Sequence, residues 1–209
     1  NTDVGRLHYD YTAYLGSQGP DIAASYGEAR NRCDLRSQGT TVFVGAGGPM
    51  GLMHVQRAIQ QPDGPSRIIA TEMSDDRLKS LQDRLAPLAE RNGCELFTFN
   101  SQTQEQSLHD FVMEITDEQG ADDVVVSVPI ADVMAEADTL MNPDGMLVFF
   151  AGVPNGTLAP LNLSAVFLNN AQYTGTSGLT IDDQQQVVDL ADRGDLSPGS
   201  IVGAVGGMK

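Results

Sequence analysis

The segment VFVGAGGPMGLM, from Val42 to Met53, constrains the chain more than any other. A run of β-branched and aromatic residues turns within a few glycines into an apolar, helix-forming stretch. A buried strand that turns so tightly into a helix leaves the first backbone N–H groups unpaired and facing outward, and the helix dipole adds partial positive charge there. That terminus attracts an anion, above all a pyrophosphate, because residues without Cβ let phosphate oxygens reach the backbone. Gly45, Gly47, Gly48, Pro49, Met50 and Gly51 are the candidate phosphate cradle, and Gly51 also lets the helix pack closely on the strand. Glycine turns are common in flexible loops, so the context has to decide.

A dinucleotide-binding turn requires an acid at the end of the next strand, about 20 residues on, to accept hydrogen bonds from the adenosine ribose. Glu72 stands there, closing the strand-like run RIIAT at 67–71, with Met73 and Arg77 just beyond. In a chain with 28 Asp and Glu, a single carboxylate means little. Strand, glycine turn, helix, second strand and terminal acid in that order mean more. A carboxylate at this point repels a 2′-phosphate, which favours NAD; Arg67 and Arg77 lie close enough in sequence to keep NADP possible.

From residue 40 onward, short β-rich runs alternate with longer amphipathic stretches, the pattern of a doubly wound α/β sheet. Strands are expected at 41–44, 67–71, 95–99, 123–128, 146–151 and 171–175, giving six parallel strands. Leu108, Phe111, Val112 and Ile115 form one helical stripe, and Val133, Met134, Ala137, Leu140 and Met141 a second. Ser74 before Asp75 and Asp76 reads as a helix N-cap, and Asn142-Pro143-Asp144-Gly145 as a turn into the fifth strand. Ligands of such sheets sit beyond the carboxyl ends of the strands, where Ser127, Val128, Pro129, Gly152, Gly175 and Gly178 fall.

Residues 1–39 read as an N-terminal extension: 8–14 as a strand, 16–19 as a loop and 21–34 as a helix. The similarity of YLGSQG at 14–19 to YTGTSG at 173–178 has two readings, chance reuse of a glycine-rich strand end or an extra strand added to the sheet. Residues 40–195 form the doubly wound domain, and 196–209 contain a further strand at 201–205.

Net charge excludes some partners. At −16, with a sequence pI near 4.2, the chain has no basic face for a nucleic-acid backbone and is repelled by anionic membranes. No apolar run approaches the roughly 20 residues of a membrane helix, and no charged-apolar leader opens the sequence. Two cysteines, Cys33 and Cys94, fit a reducing compartment, so a cytoplasmic location is expected.

These motifs, with GADDVVVSVP at 120–129 and DGMLVFFAGVP at 144–154, resemble the medium-chain dehydrogenase/reductase superfamily of zinc-type alcohol and polyol dehydrogenases. Within it they are most similar to the L-sorbose-1-phosphate reductase branch of sugar-phosphate dehydrogenases. The resemblance covers about residues 40–209 and implies a Rossmann fold. It further implies that Gly45, Gly48 and Gly51 line the pyrophosphate, that Glu72 holds the adenosine ribose, and that 127–129, 152–153 and 176–178 approach the nicotinamide. The glycine turn departs from the commonest form, because Ala46 occupies its first glycine position.

The family's catalytic zinc lies in a separate GroES-like domain, mostly ahead of the nucleotide fold. Here 44 residues precede Gly45, and His8, His54 and His109 have no cysteine at ligand spacing. The chain opens on Asn1 and ends at Lys209, so a portion of a longer enzyme is expected, with catalytic residues and metal ligands outside it. An alcohol or sugar-phosphate substrate follows from the resemblance. So does a homodimer joined along 156–162, where the alternative is an ordinary crossover loop. Two other functions share the glycine and Glu72 features: a cofactor-sensing module without hydride chemistry, and an S-adenosylmethionine-dependent methyltransferase.

Overall fold

The computed structural model describes residues 1–17, 19–26, 32–175, 177–202 and 205–207. Strand β1 (Thr2–Asp3) leads into α1 (Val4–Tyr9), β2 (Tyr14–Leu15) and a 3-10 turn at Ile22–Tyr26. The alternating part follows as β3 (Thr40–Val44), α2 (Pro49–Gln60), β4 (Arg67–Glu72), α3 (Asp75–Arg91), β5 (Glu95–Asn100), α4 (Leu108–Ile115), β6 (Ala121–Val126) and α5 (Ala131–Asp138). Then come β7 (Met141–Phe149), β8 (Leu158–Ala159), α6 (Ser164–Leu168), β9 (Gln172–Thr174), α7 (Ile181–Arg193) and a last 3-10 turn at Pro198–Ile201.

The main sheet has the order β2-β9-β7-β6-β3-β4-β5. Six of its strands are parallel, with β3 paired to both β4 and β6. The chain therefore winds outward in both directions from β3, the doubly wound arrangement that places a ligand crevice where the order reverses. Strand periodicity explains why β3 sits centrally. Val42 and Val44 enter one core with Ile69, Val124, Val126, Leu147 and Phe149, while Phe43 enters the other with Val55, Ile68, Leu81 and Leu85. All five residues of β3 are buried, as a parallel strand covered by helices on both faces requires. Among the described residues, no helix is long and apolar enough to cross a membrane.

Several local expectations hold. Helix α4 spans the residues of its predicted stripe, and Ser74 caps α3 by accepting from the Arg77 N–H at 3.4 Å. The tyrosine-glycine similarity is resolved in favour of the extra strand, since β2 pairs antiparallel with β9 and sets Tyr14 opposite Tyr173. The six parallel strands thus gain a seventh.

Others fail, each for a physical reason. Residues 8–14 are not a strand: the Asp3 side chain accepts from the Gly5 and Arg6 N–H groups and starts a helix that buries Val4, Gly5 and Leu7. The helix at 21–34 is reduced, among described residues, to the 3-10 turn; Ile22 and Tyr26 bury no apolar face, and 27–31 lie outside the described residues. Asn142 to Gly145 do not precede the fifth strand but bulge within it, where the β6–β7 register jumps from Ala121↔Met141 to Asp123↔Met146 and Asp144 adopts φ +68°. At 201–205, Ile201 ends a 3-10 turn rather than starting a strand, and 203–204 lie outside the described residues.

The amino end of the sheet is braced by charge. Arg32 pairs at 2.8 Å with Asp123, whose side chain is fully buried, and the Arg36 N–H donates to the same carboxylate at 2.6 Å. The Arg36 guanidinium reaches Asp122 at 3.3 Å and Asp144 at 2.7 Å. Burial pushes the Asp123 carboxyl up, and Arg32 opposes that shift. Removing either partner would leave a buried charge uncompensated.

Candidate nucleotide site

Each glycine of the first turn has a different neighbour. Gly45 adopts φ +81°, and a Cβ there would lie 2.5 Å from Val128 Cγ2. The Gly45 and Ala46 N–H groups both donate to the Thr71 carbonyl, at 3.1 and 2.8 Å, which ties the turn to the end of β4. A Cβ on Gly51 would lie 2.7 Å from both Ala46 Cα and the Gly45 carbonyl oxygen. Gly51 is thus required by the contact of α2 with its own turn. A Cβ on Gly47 would run into the Glu72 carboxylate and lie 2.9 Å from Arg77 Cβ.

Gly48 differs from all three. It is the N-cap residue of α2, with ordinary φ −76° and ψ 164°, no side-chain cap, and nothing within 4 Å of where a Cβ would stand. Pro49 takes the first helical position, where its missing N–H costs nothing. The first helical bond runs from Leu52 N to Gly48 O, so the Met50 and Gly51 amides lie ahead of the ladder.

Glu72 ends β4 with its side chain only 10% exposed. Its Oε1 accepts from the Met73 and Ser74 N–H groups at 2.8 and 3.3 Å, leaving Oε2 toward Gly47, with the Arg77 guanidinium 3.8 Å away. The carboxylate is therefore anchored by backbone on one oxygen and presents the other to Gly47 and Arg77. Met73 is exposed beside it. Asn100, the buried last residue of β5, donates to Asp75 at 2.5 Å and accepts from Gln102 N at 2.9 Å on the same edge. Sequence reasoning passed it over, although its place at the end of the third parallel strand was a usable signal.

Across the switch point, Ser127 follows β6 and its N–H donates to Val44 O at 2.9 Å. Its Oγ is buried with no hydrogen-bond partner among the described residues. Val128 packs on Gly45, Pro129 is exposed, and Val153 is buried. Gly152 lies beneath the first helix, where a Cβ would stand 2.5 Å from Tyr9 Oη and 3.0 Å from His8 Cδ2. Ser177 accepts at its carbonyl from Tyr11 Oη at 2.8 Å, and Gly178 has φ +86° with open space around it. Thr176 lies outside the described residues. The predicted positions thus fall into a tight group around Gly45, Gly47, Glu72 and Val128, and a second group at 152–153 and 177–178 that shares its edge with residues 8–11.

The histidines go elsewhere. His54 lies edge-on to Phe150 at 4.3 Å, and burial, then Arg57, lowers its pKa and favours the neutral ring. His8 bonds to Phe149 O and His109 to Asp110. Among the described residues, no group of three or more His, Cys, Asp or Glu is placed to hold a metal ion. A cavity of about 200 Å³ lined by Arg57, Gln60, Gln186 and Leu190 lies at the far end of α2 from the glycine turn.

The donor set suits a dinucleotide: amides ahead of the helix ladder just after an open N-cap, a carboxylate anchored at the end of β4, and a buried hydroxyl at the end of β6 without a hydrogen-bond partner among the described residues. Residues 49–193 match the family of zinc-binding dehydrogenases. The chain belongs to that family. It is 33% identical over 178 residues to mannitol-1-phosphate 5-dehydrogenase of Aliivibrio fischeri, a match covering 84% of the chain and 42% of that relative. It is 27% identical over 205 residues to L-sorbose 1-phosphate reductase of Klebsiella pneumoniae, covering 98% of the chain and 48% of the relative. The chain thus spans less than half the length of these two relatives. The alcohol dehydrogenase TADH from Thermus sp. ATN1 superposes with TM-score 0.59 at 27% identity, over 81% of this chain and 46% of that one.

Proposed function

We propose that this chain is the nucleotide-binding part of an NAD(P)-dependent oxidoreductase of the cytoplasm, acting on the CH–OH group of an alcohol, polyol or sugar phosphate. The observation that supports it best is the facing of Gly47 and the anchored Glu72 carboxylate beside the open N-cap at Gly48. When bound, the nicotinamide supplies the hydride chemistry. The chain's own work is to hold and orient it. In this reading the Gly48, Met50 and Gly51 amides carry the pyrophosphate, Gly45 and Pro49 shape the turn, and Glu72 Oε2 accepts from the adenosine ribose. Met73 and Arg77 border the ribose. Ser127 Oγ, Val128, Pro129, Gly152, Val153, Ser177 and Gly178 border the nicotinamide half. The described residues offer no ligand set for zinc, and the sugar-phosphate substrate class rests on the two relatives.

Glu72 disfavours a 2′-phosphate, so NAD is the preferred cofactor, with Arg77 moderating the preference. Titration of the protein with NADH, NADPH and S-adenosylmethionine tests the reading. NADH should bind tightest, and Glu72→Ala should weaken NADH more than NADPH. Binding of S-adenosylmethionine alone would overturn the proposal. A homodimer along 156–162 belongs to the same reading, although β1 already pairs with β8 there; a strict monomer by light scattering at high concentration would remove it.

A further inference from the structure

Three groups outside the glycine turn are candidates for a role: the buried Asp123 cluster, His54 against Phe150, and the first helix with the residues after it. The first two are explained by packing. The third is not, because His8 and Tyr11 reach the carboxyl end of β7 and the loop after β9.

His8 Nδ1 lies 3.1 Å from the carbonyl of Phe149, the last residue of β7. A carbonyl only accepts, so Nδ1 carries the proton and donates. Tyr9 stands edge-on to His8, with ring centroids 4.7 Å apart, and its hydroxyl covers Gly152. Tyr11 donates its hydroxyl to Ser177 O at 2.8 Å and does so from φ +53°, a conformation unfavourable for a bulky residue. Glycines permit the approach. A Cβ on Gly5 would lie 2.5 Å from Pro154 O, and one on Gly175 would lie 3.0 Å from Leu7 O. Backbone thus meets backbone at Gly5 and Gly175; the loop after β7 is further tied by the Val4 N–H donating to Thr157 O at 3.0 Å and by Asn155 Nδ2 donating to Asp10 Oδ1 at 3.4 Å, and the loop after β9 by the Tyr11–Ser177 bond.

We propose that residues 4–11 are a strap that sets the two nicotinamide-side loops, with His8 and Tyr11 as positioning residues for the nicotinamide half of the cofactor. The inference rests on the dinucleotide reading above. Its mechanism is indirect: His8 fixes the loop that starts after Phe149, Tyr11 fixes the loop at Ser177, and neither bond reaches the adenosine end. The strap therefore discriminates between ligands that share an ADP-ribose half and differ in the nicotinamide.

Comparing NADH with ADP-ribose by calorimetry, and by the fluorescence of the bound reduced ring, tests this. Tyr11→Phe and His8→Ala should each weaken NADH about three- to ten-fold, the loss of one hydrogen bond, and leave ADP-ribose unchanged. His8→Asn, whose amide nitrogen can donate from the position of Nδ1, should restore NADH binding and its emission. Equal weakening of both ligands, or no change in NADH, overturns the strap while the cofactor site stands. Failure of the unaltered protein to bind either ligand overturns the cofactor reading itself. Should His8→Ala not fold, Tyr11→Phe, which removes a single oxygen, decides the matter.

Discussion

Gly48 and Gly51 lie three residues apart at one helix start, yet alanine should act on them in opposite ways. At Gly51 the added carbon would sit 2.7 Å from two backbone atoms of the preceding turn, which cannot rotate aside. Helix α2 must move away from the turn, an overpacking cost of about 1–3 kcal/mol, offset by about 1 kcal/mol because alanine is the better helix former. The net loss, up to about 2 kcal/mol, lowers the melting temperature by as much as about 8 °C in a chain of this size. At Gly48 the backbone suits alanine and the carbon meets nothing within 4 Å. The entropy removed from the unfolded chain, about 0.4–1 kcal/mol, is cancelled by alanine's weakness as an N-cap. Stability should stay within about 0.5 kcal/mol of the unaltered protein. In the proposed site, however, the open space beside Gly48 takes the pyrophosphate, so the methyl group should make NADH bind at least about tenfold more weakly, a loss near 1.4 kcal/mol. Thermal denaturation and NADH titration on both variants supply the four measurements. If Gly48→Ala bound NADH normally, or melted lower than Gly51→Ala, the division of roles between these glycines would be wrong.

Tyr173→Phe removes a hydroxyl that donates to Asp138 at 2.6 Å from a fully buried ring, and should cost about 1.5–3 kcal/mol, read as a fall of about 3–12 °C in melting temperature. The Asp183 carboxyl is held below its ordinary range, first by the Thr180 N–H and then by the Thr180 hydroxyl. Its contribution to the start of α7 is therefore complete above the ordinary carboxylate range and disappears as pH falls through the lowered value. Carbon-13 titration should give a higher Asp183 midpoint in Thr180→Val; an unchanged midpoint would contradict this. With 28 acidic against 12 basic residues, raising sodium chloride from about 0.1 to 1 M shortens the screening length from about 10 to 3 Å and should raise the melting temperature, whereas a fall would refute self-repulsion as a destabilising force.

The parallel strands were legible because each must be apolar on both faces, a demand written locally in runs such as VVV at 124–126. The facing of Gly47 and Glu72 was legible for a similar reason, since a strand–turn–helix–strand unit brings its turn and its next strand end together whatever surrounds them. What escaped depends on partners far along the chain. Nothing near Asp123 announces that its charge will be met by Arg32, and nothing in HYDYTAY at 8–14 outweighs strand propensity until Val4 and Leu7 find the core. The bulge at 142–145 looked like a turn because its residues are turn formers; Arg36 and Asn169, which hold Asp144 within the strand, are remote in sequence.

Pairing of Thr2 with Ala159 and of Tyr14 with Tyr173 gives this fold an order in time. Both partners of the first segment lie about 160 residues downstream, among the longest loop closures the topology contains. The central parallel strands can associate before those closures, but β9 has an uncovered edge until β2 arrives. An early folding intermediate should therefore hold native β3, β4 and β6 with residues 2–15 still exchanging freely. During that interval the open edge of β9 makes it vulnerable to pairing with another chain.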